Sequence, residues 1–258
     1  MQLDHFLDWA HHNLLESEDA RSYMLGRGVS QEQWSRHKLG FVAGDYDVDP
    51  TIDPAHGDNC ADCEKRHLWC DSCRYRQWSS AWEETDGIRK RHVGRSIVGS
   101  VVFPLTSYSG QFVGFQTRAI KVKEYNTFAL SRRPEGYFFG IGPNMEAIWD
   151  SKSIWLVEGP GDQLIIERLL AKNSVALTTA GVSAAQMRFL RRFVQKIYLC
   201  LDLDETGRKA TRDFIARYAD YFDICSVKYP RLRPNDKDPG DLWRTSGDVS
   251  FKRHFQYM

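Results

Sequence analysis

From Ser153 onward the sequence alternates short apolar runs with helix-forming stretches, and this alternation restricts the chain to few architectures. SIWLV precedes a helix expected from about Asp162 to Ala171, and the short strand SVALT follows. Ser183 with Gln186 three residues later forms a capping-box pattern that opens a helix over AAQMRFLRRFV, residues 184–194. KIYLCL, a helix across 207–219 and the strand ICSVKY complete the series. Strand and helix in turn imply a parallel sheet covered by helices, an α/β fold.

Acidic residues fall just beyond these strands. Glu158 stands in LVEGPGD, Asp202 and Asp204 in LCLDLDETG, and Asp238 and Asp241 in DKDPGD. An open parallel sheet presents its reactive groups at the carboxyl ends of its strands, so acids from three ends can converge. Asp202 and Asp204 are two apart; in extended chain they share a face, with Cα atoms roughly 6–7 Å apart. Like charges that close raise each other's pKa unless a cation lies between them. Such hard oxygen ligands suit Mg²⁺ or Mn²⁺, and Mg²⁺ usually takes one or two carboxylates plus substrate phosphates. Solvated loop acids are the alternative for any one cluster alone. Three clusters in register with strand ends favour metal-dependent phosphate chemistry.

Glu-Gly followed by Asp162, then Asp-x-Asp-x-x-Gly ending at Gly207, then an Asp-Pro acidic turn, resembles the Toprim domain of topoisomerases, bacterial DNA primases and some nucleases. The resemblance covers about 150–245. It implies a Rossmann-like parallel sheet flanked by helices, with Glu158 as a general acid/base or metal-site residue and Asp202 and Asp204 holding the metal. Where primases often carry Asp-Pro-Asp, Gly240 takes the second acidic place, and Asp241 is the acid one position later.

The first half looks different. Residues 4–40 read as helical, with a capping box at Ser30 and Gln33 after a turn marked by Gly26 and Gly28. Residues 44–59 read as a loop. SIVGSVVFPL and QFVGFQTRAI flank the turn TSYSG as a hairpin, and 130–146 read as irregular. YMLGRGVSQEQWSRHKLGF resembles the entry to the bacterial primase core, and IVGSVVFPLTSYSGQFVGFQTRAI resembles its FPI-type hairpin, with Arg118 on the family's basic position. KEYNTFAL and TTAGVSAAQMRFLRR resemble two further primase segments. The expected organisation is a mixed α+β primase-type subdomain over 1–150, a Toprim domain over 151–246 and a tail over 247–258.

Cys60, Cys63, Cys70 and Cys73 read C-x2-C-x6-C-x2-C within the first subdomain. Two such knuckles place four thiolates on one tetrahedral centre, so a structural Zn²⁺ site is expected over 56–80, with His67 or His56 as an alternative ligand. A single CxxC is open to a redox reading; a closed four-thiolate site leaves no place for substrate. In the bacterial enzyme a zinc module precedes the core, whereas here the cysteines fall inside it. Cys200 and Cys225 lie in apolar runs and read as buried thiols.

Charge is balanced, 35 Lys and Arg against 34 Asp and Glu, so any basic groove must be local. No run approaches the apolar length of a membrane span, and MQLDHFLDWAHHNLLESED does not read as a signal peptide, so a cytoplasmic location without membrane association is expected.

The resemblance implies a primase of DNA replication, making RNA primers on single-stranded DNA from ribonucleoside triphosphates, with a replicative helicase as a partner in trans. A compact core of this size suits a phage or mobile element. Arg118, Lys121 and Lys123 lie at or past a strand end and are candidates to clamp triphosphate or template; a solvated basic turn is the alternative, as it is for Arg132 and Arg133. Arg188, Arg191 and Arg192 suit a solvent-facing helix side, and Trp69, Trp78 and Trp82 either stack on bases or pack around the zinc. Two other functions use the same residues: a Toprim nuclease or RNA-processing enzyme, and a non-catalytic nucleic-acid-binding protein. The chain has little room for topoisomerase gate domains.

Overall fold

The computed structural model describes residues 2–44, 97–122, 124–129, 137–177 and 182–257. The four-cysteine segment, Lys123, Arg132 and Arg133 lie outside the described residues. Two units are distinguished. The first comprises Met1–Tyr23, Lys38–Pro104 and Gly114–Leu130; the second comprises Met24–His37, Leu105–Val113 and Ser131–Met258.

The first unit begins with helix α1 (Gln2–Glu16). Its buried residues Phe6, Leu7, Ala10 and Leu14 recur at helical spacing and form a single apolar stripe. Strand β1 (Gly40–Phe41) runs against this stripe, and Gly40 is needed there: a Cβ at that position would come within 2.7 Å of the Ala10 methyl. The sheet has the order β1-β2-β3-β4, where β2 is Ser100–Thr106, β3 is Phe112–Ala119 and β4 is Tyr125–Ala129. Phe115 of β3 meets Phe6 with ring centroids 4.8 Å apart. β2 and β3 join through the expected turn, closed by the Ser107 amide donating to the Gln111 carbonyl at 2.8 Å.

Helix α2 (Glu18–Gly26) leads through Gly28, at φ 78°, into α3 (Gln31–Arg36). The Ser30–Gln33 capping box is formed. The second unit continues with α4 (Ile141–Ser151), which departs from the irregular reading of 130–146. Gly140, in the left-handed region at φ 85°, caps the helix, and Pro143 sits in the first turn, where its missing N–H would have had no helical partner.

Strand β5 (Ser153–Val157), α5 (Pro160–Leu169), β6 (Ser174–Ala176), α6 (Ala184–Leu190), β7 (Lys196–Leu199), α7 (Glu205–Tyr218) and β8 (Asp223–Lys228) follow in the expected alternation. α6 is shorter than its sequence reading. After Leu190 the chain tightens into turns, with the Arg192 and Phe193 amides bonding three residues back, and this brings Val194 inside. Helix α8 (Pro239–Phe251), kinked at Gly247, leads to a last strand, β9 (Gln256–Tyr257).

The sheet order is β6-β5-β7-β8-β9. The first four strands are parallel and β9 adds antiparallel to β8. Ile154, Leu156, Val175, Ile197 and Leu199 of the strands form one core with Ile148 of α4 and Phe214 of α7. The chain passes from β5 outward to β6 and then returns across β5 to β7. The connections therefore diverge between β5 and β7, which is the switch point where open α/β sheets leave a crevice.

Candidate active site

Glu158 follows β5 directly, and Asp202 lies three residues past β7, so the two acids stand at the strand ends flanking that crevice. They touch through the backbone: the Asp202 amide donates to Glu158 Oε1 at 3.0 Å. Asp204 caps α7, its Oδ1 accepting from the Gly207 amide at 2.9 Å. That cap requires glycine, because a Cβ at Gly207 would overlap the Asp202 carbonyl oxygen and come within 3.0 Å of Asp202 Cα. Asp238 caps α8 in the same way, its Oδ1 accepting from the Asp241 amide at 2.7 Å. Two acids thus cap helix starts, where exposed N–H groups and the helix dipole favour negative charge.

A further carboxylate joins them that the sequence reading quoted only as part of a motif. Asp162, in the first turn of α5, accepts the Gly240 amide on Oδ1 at 2.9 Å. It lies where a side chain on Gly240 would point: a Cβ there would stand 3.1 Å from Asp162 Oδ1 and 3.2 Å from Asp238 Oδ1. Only the chain crossing from α5 to the start of α8 joins these positions, so local pattern carries no signal for it.

Charge is concentrated accordingly. Asp162 is raised well above the ordinary carboxylate range, first by the protein enclosing it and then by Asp238 and Asp202. Asp202, 9% exposed, is pushed up to about 6 by burial, with Glu158 and Asp238 adding to the shift against the pull of Lys237. The Lys237 ammonium lies 2.6 Å from Asp202 Oδ2 and 3.8 Å from Asp204 Oδ2. Burial works against that charge, but the hydrogen bond to Asp202 and the field of Asp202, Asp238 and Asp204 outweigh it and raise the lysine. Asp241 faces elsewhere: Oδ2 accepts the Lys237 amide at 3.0 Å and Oδ1 pairs with Arg244.

The donor set fits a divalent cation. The oxygens are hard, two carboxylates share one positive partner, and the Lys237 ammonium stands where a cation is electrostatically required. Among the described residues no three such donors enclose an ion by themselves, so the remaining positions would fall to water and substrate oxygens.

The other sequence candidates are placed as follows. Arg118, near the end of β3 in the first unit, lies over the Tyr125 ring at 4.8 Å and bonds its hydroxyl, while Lys121 is exposed just beyond the strand. In the second unit Arg191 stacks over Tyr221 at 4.4 Å. Cys200 is buried below the acids, and burial pushes its thiol up, consistent with an inert core thiol.

Residues 155–243 match the family model described as Toprim-like. DNA primase of Clostridium acetobutylicum is 25% identical over 251 residues, which are 93% of this chain and 38% of that protein. Residues 155–243 thus carry a Toprim-like domain, and the chain is similar to bacterial DNA primases over most of its length. DNA primase of Buchnera aphidicola is 24% identical over 258 residues, covering 95% of this chain and 40% of the relative. The chain thus spans about two fifths of the length of the curated relatives it matches. A DNA primase domain from Pseudomonas aeruginosa has the same fold, with a TM-score of 0.70 at 22% identity over 99% of this chain and 78% of that one. The zinc-binding and RNA polymerase domains of Aquifex aeolicus primase give a TM-score of 0.69 at 23% identity, over 99% of this chain and 60% of that chain. Within this Toprim-like domain the acids occupy the ends of the two central strands and the starts of the helices that follow. No described helix is long and apolar enough to cross a membrane.

Proposed function

We propose that this chain is a primase catalytic core that makes short RNA primers on single-stranded DNA by metal-dependent nucleotidyl transfer. The observation that carries the proposal is the grouping of Glu158, Asp202, Asp204 and Asp238 beyond the strand ends, with Glu158 holding the Asp202 amide and the Lys237 ammonium set against Asp202 and Asp204. Relatives named DNA primase across most of the chain support polymerisation over cleavage. A solved primase catalytic domain bound to single-stranded DNA, with a TM-score of 0.69 over 97% of this chain, supports the choice of template.

In this reading Asp202 and Asp204 hold Mg²⁺ or Mn²⁺, with Glu158 as a further ligand or proton acceptor. Bound there, the ion supplies charge that neutralises phosphate oxygens during displacement of pyrophosphate. Glu158 also holds the Asp202 amide and so fixes the turn that carries both aspartates. Asp238 serves the triphosphate side. Asp241 supports it by fixing the backbone of Lys237 and holding Arg244. Arg118, Lys121, Lys123 and Arg132 are assigned to nucleotide and template phosphates.

Cys60, Cys63, Cys70 and Cys73 are assigned to a structural Zn²⁺. The division into a primase-type part over 1–150, a Toprim part over 151–246 and a tail, the cytoplasmic location, and a helicase partner in trans belong to the same reading. Labelled ribonucleotides, single-stranded DNA and Mg²⁺ or Mn²⁺ test it directly. Short RNA products are expected; shortening of labelled DNA or RNA without added nucleotide would transfer the site to a nuclease.

A further inference from the structure

The segment Asn235–Gly240 carries a lysine aimed at the acids, and its placement is built rather than incidental. The Lys237 carbonyl accepts the Leu203 amide at 2.7 Å and the Tyr229 hydroxyl at 3.3 Å, and the Lys237 amide donates to Asp241 Oδ2 at 3.0 Å. Tyr229 also bonds the Leu201 carbonyl at 2.9 Å. These contacts pin the lysine backbone to the turn 201–204 on one side and to the start of α8 on the other. From that anchor the ammonium reaches Asp202 Oδ2 at 2.6 Å and Asp204 Oδ2 at 3.8 Å. It touches both members of the Asp-x-Asp pair.

We propose that Lys237 is a tethered counter-ion for Asp202 and Asp204, which holds the pair together before metal binds and must leave Asp202 when a divalent cation arrives. This inference rests on the metal-dependent reading above. Its physical basis is competition for the same oxygens. An ion that takes Asp202 Oδ2 meets a positive charge 2.6 Å from that atom, and the repulsion is relieved only when the side chain turns outward. The route is open, because the lysine side chain is 37% exposed and carries its ammonium on a flexible four-carbon stem. Metal affinity is therefore set lower than the acids alone would give, and the unloaded site avoids bare repulsion between its carboxylates. Coupling between two such binding events is commonly 5- to 150-fold.

The test is Mn²⁺ titration calorimetry on the full chain, dialysed free of divalent ions, comparing wild type with Lys237→Met and Lys237→Arg. Asp202→Asn assigns the signal to this site. The Met variant is expected to bind Mn²⁺ about tenfold tighter, within the range for coupled sites. It should also melt lower than wild type without metal and gain more from added Mn²⁺. The Arg variant, which keeps the charge, is expected to stay nearer to wild type. If Lys237→Met does not fold, Lys237→Gln takes its place in both measurements. Equal or weaker binding by the neutral variant, with wild-type binding intact, overturns the counter-ion role and leaves the metal site standing. Absence of Mn²⁺ binding in every variant overturns both.

Discussion

Asp162 Oδ1 accepts the backbone amide of Gly240 at 2.9 Å, so a carboxylate from one helix start fills the space that a side chain on the next would need. The acid that primases often carry at that second position is replaced here by a glycine, and the space beside it is bounded by Asp162 Oδ1 and Asp238 Oδ1. Gly240→Ala adds a methyl 3.1 Å from Asp162 Oδ1 and 3.2 Å from Asp238 Oδ1, but also gains helix propensity, so a near-neutral effect is expected. Gly240→Asp adds both bulk and a like charge and is expected to cost about 1–3 kcal/mol, as overpacking does. Thermal melts without divalent ion check this, and a melting point unchanged by Gly240→Asp would contradict the crowding.

Gly207→Ala is expected to disturb the site more than its size suggests. The new methyl would overlap the Asp202 carbonyl, so the Asp204 cap and the turn bearing both aspartates must shift together. Loss of the cap alone typically costs about 1 kcal/mol. Weaker Mn²⁺ binding and a lower melting point should appear together; a drop in stability with unchanged metal affinity would show that the turn does not position the acids.

Glu167 gives the second unit an acid-sensitive joint. Its buried carboxylate accepts from His37 Nε2 at 2.6 Å, Gln163 Nε2 at 2.8 Å and Asn144 Nδ2 at 3.3 Å, and pairs with Arg36 at 3.1 Å. Burial alone would raise its pKa, but the hydrogen bond and charge of His37, with Gln163 and Asn144, outweigh it and hold the group below 4.5. A lowered folded-state pKa adds stability that is present above the unfolded value and is lost as pH falls through the folded one. Wild-type stability should therefore decline below about pH 4.5, and Glu167→Gln should lack that part of the decline. The variant should also be less stable near neutral pH by about 1–3 kcal/mol, because the buried donors His37, Gln163 and Asn144 then share a weaker acceptor. Urea melts from pH 3 to 7 measure both; parallel curves for the two proteins would refute the assignment.

The zinc assignment predicts one Zn²⁺ per chain in purified protein, and a loss of both zinc and stability in Cys63→Ser. Elemental analysis checks it. A folded chain without zinc would end the claim.

Much of the second unit was legible because its signals are local. The strands SIWLV, KIYLC and ICSVKY and both capping boxes follow from apolar runs and from Ser-x-x-Gln spacing. α4 was hidden because Gly140, Gly142 and Pro143 read as loop chemistry, although a left-handed cap and a first-turn proline suit a helix start. Gly247, at φ 70° within α8, masked that helix in the same way. Asp162 and Lys237 were missed as members of the site for another reason. Their partners lie 78 and 35 residues away, and only the folded sheet brings those chain segments together. The alternation predicted the parallel sheet with acids beyond its strand ends, but not all of the side chains that meet there.

The most direct measurement compares ribonucleotide incorporation on single-stranded DNA by wild type, Glu158→Gln and Asp202→Asn, with melting points recorded on the same samples. The wild type is expected to make short RNA in Mg²⁺ or Mn²⁺. Each variant should lose at least about 100-fold in rate, the scale on which removing one preorganised charge-stabilising group acts. Asp202→Asn should keep or raise its metal-free melting point. Burial first, then Glu158 and Asp238, hold the Asp202 carboxyl up at about 6 in spite of the Lys237 hydrogen bond, so its charge is carried at a net cost near neutral pH. Full activity in both variants, or wild-type protein that makes no primer on any template, would contradict the account.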